Sequence, residues 1–203
     1  YRRQRQMCIR DSIEVNDHIY LIWVDQLSKA IWLKILKVQE KSGFIPNVFL
    51  GFFHRPDEFR AFFNYHDALM LKESGLSKGE REMIVVATSG LNDCIYCVVA
   101  HGAILRVREK NILIADQLAT NYKKAKITLR QRAMLDFAVK VSRDAQNISD
   151  KDFETLEDQG FTQQDAWDIG SIAALFALSN RIANMAGIMP NEEFYAMGRT
   201  VKD

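Results

Sequence analysis

The sequence has few of the residues that interrupt helices and almost no net charge. Its 203 residues include only three prolines and ten glycines, which disfavours a turn-rich β fold. Lysine and arginine total 27 and aspartate and glutamate total 26, so the formal net charge is +1. A chain so close to neutrality has no strong field to attract nucleic acid or acidic lipid, and we expect neither as a partner.

Long uncharged apolar stretches are also missing. Residues 19–38 come nearest, but four charged side chains interrupt them, namely Asp25, Lys29, Lys34 and Lys37. A spanning helix needs about 20 largely uncharged residues, so this stretch is expected to be an amphipathic helix. The basic residues 1–10 are not followed by the apolar region and cleavage site of a signal peptide. A cytoplasmic protein with no membrane partner is therefore expected.

Cysteine is scarce as well. Cys8 lies in the opening stretch YRRQRQMCIRDS, which resembles translated adapter sequence, so residues 1–12 are expected to be non-native. Residues 13–203 are expected to form one domain. The remaining thiols, Cys94 and Cys97, cannot make a disulfide framework, and a lone C-x-x-C indicates either redox chemistry or half of a metal site.

Helical spacing of apolar residues recurs along the chain. It predicts helices over residues 26–40, 57–73, 112–122, 129–145, 152–159 and 163–186, with another that begins near Lys78. No stretch of five residues alternates as a strand does. We therefore predict an all-α fold, a compact helical bundle. Asn180 and Arg181, in the last of these helices, are expected to make capping or inter-helix hydrogen bonds rather than to contact substrate.

Two segments resemble each other and suggest an internal repeat. LSKGEREMIVVATSG and ITLRQRAMLDFAVKVS each place a capping box, Ser77 with Glu80 and Thr128 with Gln131, before an apolar helix. The bundle is thus expected to contain two related helical hairpin units.

The chemically distinctive stretch is Cys94-Ile-Tyr-Cys97, with His101 four residues later. Positions i, i+3 and i+7 of a helix share one face, so both sulfurs and the imidazole should lie together. Asn92 or Asp93 is expected to cap this helix, which would place Cys94 in its first turn. Unpaired N–H groups and the helix dipole favour a thiolate there.

Three interpretations compete for these residues. Free cysteines are often simply buried in a core. A structural zinc ion normally needs four ligands, whereas this sequence offers three, without a second cysteine pair nearby. In a redox dithiol, one thiolate attacks and its neighbour resolves the product. An adjacent histidine and an acid such as Glu82 would then move the protons, and this third interpretation uses every residue of the motif.

The combination of Glu82, Cys94, Cys97 and His101 resembles the core of the alkylhydroperoxidase D-like, or carboxymuconolactone decarboxylase, superfamily. The flanking segments GFIPNVF, DALMLKESGLSKGERE, CVVAHGA, ADQLATNY and LSNRIAN resemble its peroxidase-related branch. The resemblance extends over roughly residues 43–199.

That resemblance implies an oligomeric helical bundle that reduces peroxides through its dithiol. Cys97 would attack the peroxide, poised by His101, while Cys94 would resolve it as a disulfide and Glu82 would feed the proton relay. Well-described members have a second histidine where this chain has Tyr96. A tyrosine, with a pKa near 10, is a poor proton shuttle at neutral pH, so Tyr96 is at most an accessory residue.

The expected function is therefore thiol-dependent reduction of hydrogen peroxide or organic hydroperoxides by a homo-oligomer without metal or organic cofactor. An external dithiol protein, thioredoxin-like or lipoyl-bearing, would reopen the disulfide. A non-catalytic redox sensor or a general dithiol–disulfide exchange protein is the main alternative, and a zinc module is the third.

Overall fold

A computed structural model describes residues 29–52 and 54–199 of the chain. This part contains α-helices, two short 3-10 turns and no strand, so the predicted all-α fold is confirmed. The helices are α1 Lys29–Ser42, α2 Asn47–Phe52, α3 Pro56–Met70, α4 Lys78–Leu91, α5 Ile95–Glu109, α6 Ile114–Asn121, α7 Leu129–Asp144, α8 Asp150–Glu157, α9 Gln163–Ala186 and α10 Glu193–Ala196. None of these helices combines the length and hydropathy needed to cross a membrane.

Close backbone contacts group the chain into two units. One unit ends at His66 and also contains Ala183–Met189, and the other contains Asp67–Ile182 and the chain from Pro190. The proposed non-native segment, residues 1–12, lies outside the described residues, and a single domain over residues 13–203 stays a prediction.

The first unit is held by a cluster of tilted phenylalanine rings. The ring of Phe63 lies 4.6 Å from Phe49 and 4.5 Å from Phe59, measured between centroids, and all three side chains are buried. Pro56 begins α3, as predicted, because the first turn of a helix needs no N–H donor there. The Asn47 side chain donates a hydrogen bond of 2.9 Å to the carbonyl of Met189.

The second unit is built around α4. Residues 79–89 are buried without a break, because an apolar helix that packs against α5, α6 and α7 has no side left for solvent. Gly90 permits the closest approach, since a Cβ there would lie 2.6 Å from the carbonyl oxygen of Ala119 on α6.

The local signals locate most helix ends well. The capping boxes predicted at Ser77 and Thr128 are both present, and α9 covers the predicted residues 163–186. Gly187 follows α9 with a φ of +65°, a conformation that glycine adopts without strain. The four-residue helix α10 was not predicted.

Candidate active site

The dithiol lies at the turn from α4 to α5. The predicted cap was wrong: Cys94 itself is the N-cap of α5, while Asn92 is the C-cap of α4. Asp93 has a φ of +51° and reverses the chain between them, as aspartate can in a left-handed conformation. The Cys94 N–H donates to the Ser89 carbonyl at 3.1 Å. Cys94 therefore lies one or two positions earlier in the helix than predicted, at the positive N-terminal end of the α5 dipole.

A buried acid–base pair lies beside the dithiol. The distance from His101 Nδ1 to Glu82 Oε2 is 2.8 Å, and the Glu82 side chain belongs to the fully buried stretch of α4. The imidazole packs edge-on against the ring of Phe176, with 4.7 Å between centroids. Glu82 and His101 are 19 residues apart, and antiparallel packing of α4 and α5 brings them into contact.

Both sulfurs are only 1% exposed, and Cys97 Sγ lies 3.7 Å from Ser179 Oγ on α9. The pKa of Cys94 is lowered to about 6, first by a hydrogen bond from the Cys97 thiol. Burial opposes this shift, while the N–H groups of Cys97 and Tyr96 and the Asn180 side chain assist it. The Cys94 sulfur makes no hydrogen bond of capping geometry, so these N–H groups act on it as aligned dipoles.

The pKa of Cys97 moves in the opposite direction. Its hydrogen bond with Cys94, burial, and the charge on Cys94 all raise it, while Ser179 and Asn180 lower it. The two thiols share one proton, which stays on Cys97 when Cys94 ionises. Near neutral pH the reduced site therefore contains a thiolate at Cys94 and a thiol at Cys97.

A polar cluster of Asn180, Ser89 and Asn92, next to the turn that carries Cys94, was not predicted as part of the site. Asn180 of α9 donates to Ser89 Oγ at 2.9 Å and accepts at 2.9 Å from the Asn92 side chain. Asn180 makes the inter-helix hydrogen bonds expected of it, but it does so against the residues that flank Cys94. Sequence separations of 88 and 91 residues explain why no local pattern revealed this.

The remaining predicted residue, Tyr96, is 4% exposed and lies between the cysteines in the first turn of α5. Its backbone N–H acts on the Cys94 sulfur. Within the described residues, no three side chains of His, Cys, Asp or Glu converge as a metal site requires. The structure thus brings together Glu82 with His101 and Cys94 with Cys97, and adds Ser179 and Asn180.

Comparisons with known proteins identify the family of the chain. The carboxymuconolactone decarboxylase family model matches residues 56–111. An uncharacterized peroxidase-related protein from Ralstonia eutropha JMP134, with an alkylhydroperoxidase AhpD core, is 63% identical. Its crystal structure superposes with a TM-score of 0.86, over 88% of this chain and 94% of that one. No curated protein matches the sequence.

A second uncharacterized peroxidase-related protein, from Silicibacter sp. TM1040, is 39% identical. Its TM-score is 0.82, over 85% of this chain and 91% of that one. The debrominase Bmp8 is 17% identical with a TM-score of 0.69, over 84% and 90% of the two chains, and this likeness concerns the fold alone. The chain therefore belongs to the AhpD-like, or carboxymuconolactone decarboxylase, superfamily, and to its peroxidase-related branch.

Proposed function

We propose that this chain is a thiol-dependent peroxidase that reduces hydrogen peroxide or organic hydroperoxides through Cys94 and Cys97. The observation that carries the proposal is the largely buried pair of His101 and Glu82, 2.8 Å apart, in which His101 lies on α5, the helix that carries the dithiol, and Glu82 on the neighbouring α4. A buried carboxylate that orients an imidazole is the usual arrangement of a general base.

The packing of α5 on α9 supports a contact between the base and the attacking sulfur. Cys97 and His101 are four residues apart on α5, so they are neighbours on one helix face. They meet Ser179 and Phe176 respectively, which are three residues apart on α9. With Nδ1 donating to Glu82, Nε2 is the basic nitrogen of His101 and the one suited to accept the Cys97 proton.

The first chemical step oxidises Cys97. His101 accepts the thiol proton, and the Cys97 sulfur attacks the terminal oxygen of the hydroperoxide. An S–O bond forms while the O–O bond breaks, giving sulfenic acid and an alkoxide or hydroxide that takes the proton back from His101. Proton delivery to this leaving oxygen is needed for a fast reaction. His101 meets two requirements, because it removes the proton from Cys97, whose own pKa is raised, and then delivers that proton to the leaving oxygen.

The second step closes the disulfide. The Cys94 thiolate attacks the Cys97 sulfur, an S–S bond forms, and the hydroxyl leaves as water after gaining one proton. The lowered pKa of Cys94 suits this role, because a resolving thiol must be ionised to attack. The lowered pKa of Cys94 thus suits the resolving role, while the raised pKa of Cys97 means that Cys97 can attack only after His101 has removed its proton.

A complete cycle consumes two electrons, which an external dithiol supplies by reducing the disulfide through a mixed-disulfide intermediate. We include in the proposal a protein dithiol as reductant, thioredoxin-like or lipoyl-bearing, together with a homo-oligomeric and cytoplasmic enzyme. No metal or organic cofactor takes part in either step.

Adding one equivalent of peroxide to the reduced protein tests the proposal. In the wild type we expect rapid closure of the disulfide between Cys94 and Cys97. In Cys94→Ser we expect sulfenic acid on Cys97, trapped with a dimedone-type reagent and located by mass spectrometry. Oxidation no faster than that of free cysteine would refute the peroxidase. Sulfenic acid trapped at Cys94 in Cys97→Ser, with none trapped at Cys97 in Cys94→Ser, would exchange the two roles.

The alternative is a protein that senses oxidation or exchanges disulfides without turning over peroxide. The lowered pKa of Cys94 favours it too, since a thiolate is reactive towards disulfides. Peroxide consumption in excess of the protein, with a dithiol reductant present, separates the two: an enzyme consumes many equivalents far faster than the reductant does alone, whereas a sensor leaves that background rate nearly unchanged.

A further inference from the structure

The polar cluster on α9 is placed to act on the dithiol rather than only to fasten two helices. Asn180 is 0% exposed and Ser179 is 6% exposed, and they are consecutive residues. The hydroxyl of Ser179 lies 3.7 Å from the Cys97 sulfur. A buried thiolate is costly unless donors surround it, so the source of those donors matters for the reactivity of the dithiol.

Two contacts fix the orientation of the Asn180 carboxamide. Its oxygen accepts from Asn92 Nδ2, and its nitrogen donates to Ser89 Oγ, both at 2.9 Å. A primary amide has two N–H donors, and the one at Ser89 accounts for a single donor. Hydrogen bonding by the Asn180 side chain also lowers the pKa of Cys94 and opposes the rise in the pKa of Cys97.

The residue that binds Asn180 also binds the dithiol turn. The carbonyl of Ser89 accepts the Cys94 N–H at 3.1 Å, while its hydroxyl accepts from Asn180. A displacement of Asn180 would therefore change the donors around the sulfurs and also the anchor of the turn that carries Cys94.

We propose that Asn180 is a positioning residue which, together with the Ser179 hydroxyl, holds the reduced sulfurs as a hydrogen-bonded thiol–thiolate pair. The proposal rests on the proposed function, because the pair has this use only if Cys97 attacks and Cys94 resolves. It assigns to α9 a part in catalysis that the C-x-x-C motif does not contain.

Charged and titratable groups also lie on the elements around the dithiol. They include Glu82 on α4, Asp93 in the turn, Tyr96 and His101 on α5, Arg143 on α7, which donates to the Leu91 carbonyl at 3.2 Å, and the exposed Arg181 on α9. Replacing Asn180 by a neutral side chain changes none of these charges. A shift in the thiol titration can therefore be assigned to the lost carboxamide.

The test is the pH dependence of iodoacetamide alkylation of the reduced full-length chain, with mass spectrometry to separate Cys94 from Cys97 and Cys8. In the wild type, the Cys94 rate should titrate with a midpoint at about pH 6. In Asn180→Leu, which fills similar space without donors, we expect the midpoint to rise by about one unit. The Cys94 rate at pH 6 should then fall several-fold, towards a limit of about tenfold well below the midpoint.

Thr88→Ala is the matched control. Thr88 is also 0% exposed, but its hydroxyl donates to the carbonyl of Ile84 on its own helix at 2.8 Å. Its loss should lower stability without moving the alkylation midpoint. A midpoint that stays at the wild-type value in folded Asn180→Leu, or moves equally in Thr88→Ala, would overturn the proposal.

If Asn180→Leu does not fold, Asn92→Ala and Ser179→Ala provide the decision. Asn92 is only half-buried, and Asn92→Ala removes the contact that orients the Asn180 amide. We therefore expect the Cys94 alkylation midpoint to rise in this variant as well, by an amount that corresponds to about threefold in proton affinity. Unchanged midpoints in both variants would refute the proposal. Alkylation uses neither peroxide nor reductant, so a failure of the peroxidase hypothesis would leave this result readable.

Discussion

Helices α4 and α7 begin with the same capping motif but lie in different surroundings. Each starts at a capping box followed by an arginine, and in each a methionine occupies the third position after the box. Those methionines, Met83 and Met134, are 2% and 0% exposed. Over these first residues the two segments therefore share the same cap, the same arginine position and the same buried methionine position.

The difference lies in what surrounds each helix. Residues 79–89 of α4 are all buried, whereas α7 buries four side chains, Met134, Leu135, Phe137 and Ala138. Where α4 carries Glu82, α7 carries Ala133. A carboxylate at 8% exposure is sustained on α4 because His101 pairs with it. The capping box decides where a helix starts, and the depth of burial decides which of its positions can carry chemistry.

The largest expected effect comes from making α4 resemble α7 at that position. Glu82→Ala removes the carboxylate that orients His101, so the rate of Cys97 oxidation by peroxide should fall about 100-fold, as for loss of general acid–base catalysis. Stopped-flow measurement of thiol loss, with circular dichroism to verify folding, gives the result.

The matched control is on α7. Asp136→Asn changes a carboxylate that accepts a 2.8 Å hydrogen bond from the Tyr122 hydroxyl, and the peroxide rate should not change. Equal rates for Glu82→Ala and the wild type would remove the acid–base pair from the mechanism.

A smaller effect should distinguish the two capping boxes. Glu80 accepts from the Ser77 N–H at 2.8 Å and also from Arg130 of α7 at 3.2 Å. The hydrogen bonds of Gln131 to Thr128 stay within its own capping box. Glu80→Ala should therefore lower the free energy of unfolding by about 2 kcal/mol, and Gln131→Ala by about 0.5 kcal/mol. Urea unfolding measures both, and equal losses would mean that the Arg130 contact contributes nothing.

The smallest effect concerns pH. The folded pKa of Cys94, about 6, is below its ordinary value of 9.0, so its stabilising contribution is full above pH 9 and is lost as the pH falls through 6. The raised pKa of Cys97 acts in the opposite direction above pH 9. Between pH 6.5 and 7.5, reduced wild type should gain roughly 1 kcal/mol of unfolding free energy relative to Cys94→Ser.

This measurement also compares the two helices. On the α7 side, burial first and the hydrogen bond to Asp136 next raise the pKa of Tyr122, so Tyr122 adds no change across this pH range. Parallel pH profiles for wild type and Cys94→Ser would show that Cys94 does not ionise in the folded protein.

Features that depend on contacts between residues close together in the sequence could be predicted, and those that depend on distant residues could not. The capping boxes at Ser77 and Thr128 depend on contacts three residues apart, and both were found where predicted. The pairing of Glu82 with His101 needed only the inference that two consecutive helices pack antiparallel. The N-cap of α5 was misassigned because Asp93 takes a left-handed conformation that a sequence pattern does not specify.

The contribution of α9 to the site could not be read from the sequence. Ser179 reaches Cys97 across 82 residues, and Asn180 reaches Ser89, which anchors the Cys94 turn, across 91. Nothing in LSNRIAN distinguishes a residue that fastens helices from one that touches a sulfur. Only packing supplies that distinction. The catalytic roles of Cys94, Cys97, His101 and Glu82, the reductant and the oligomeric state stay predictions.

The burial of both sulfurs has a consequence for the rate of the whole cycle. A reductant protein must bring its own sulfur to within bonding distance of Cys94 or Cys97, each 1% exposed. In the proposed cycle we therefore expect regeneration to require a transient fraying of the first turn of α5 before any exchange can begin. With excess reductant, turnover should level off at the rate of this opening. A more reactive dithiol would then not accelerate turnover, whereas a substitution that loosens the first turn of α5 would accelerate it.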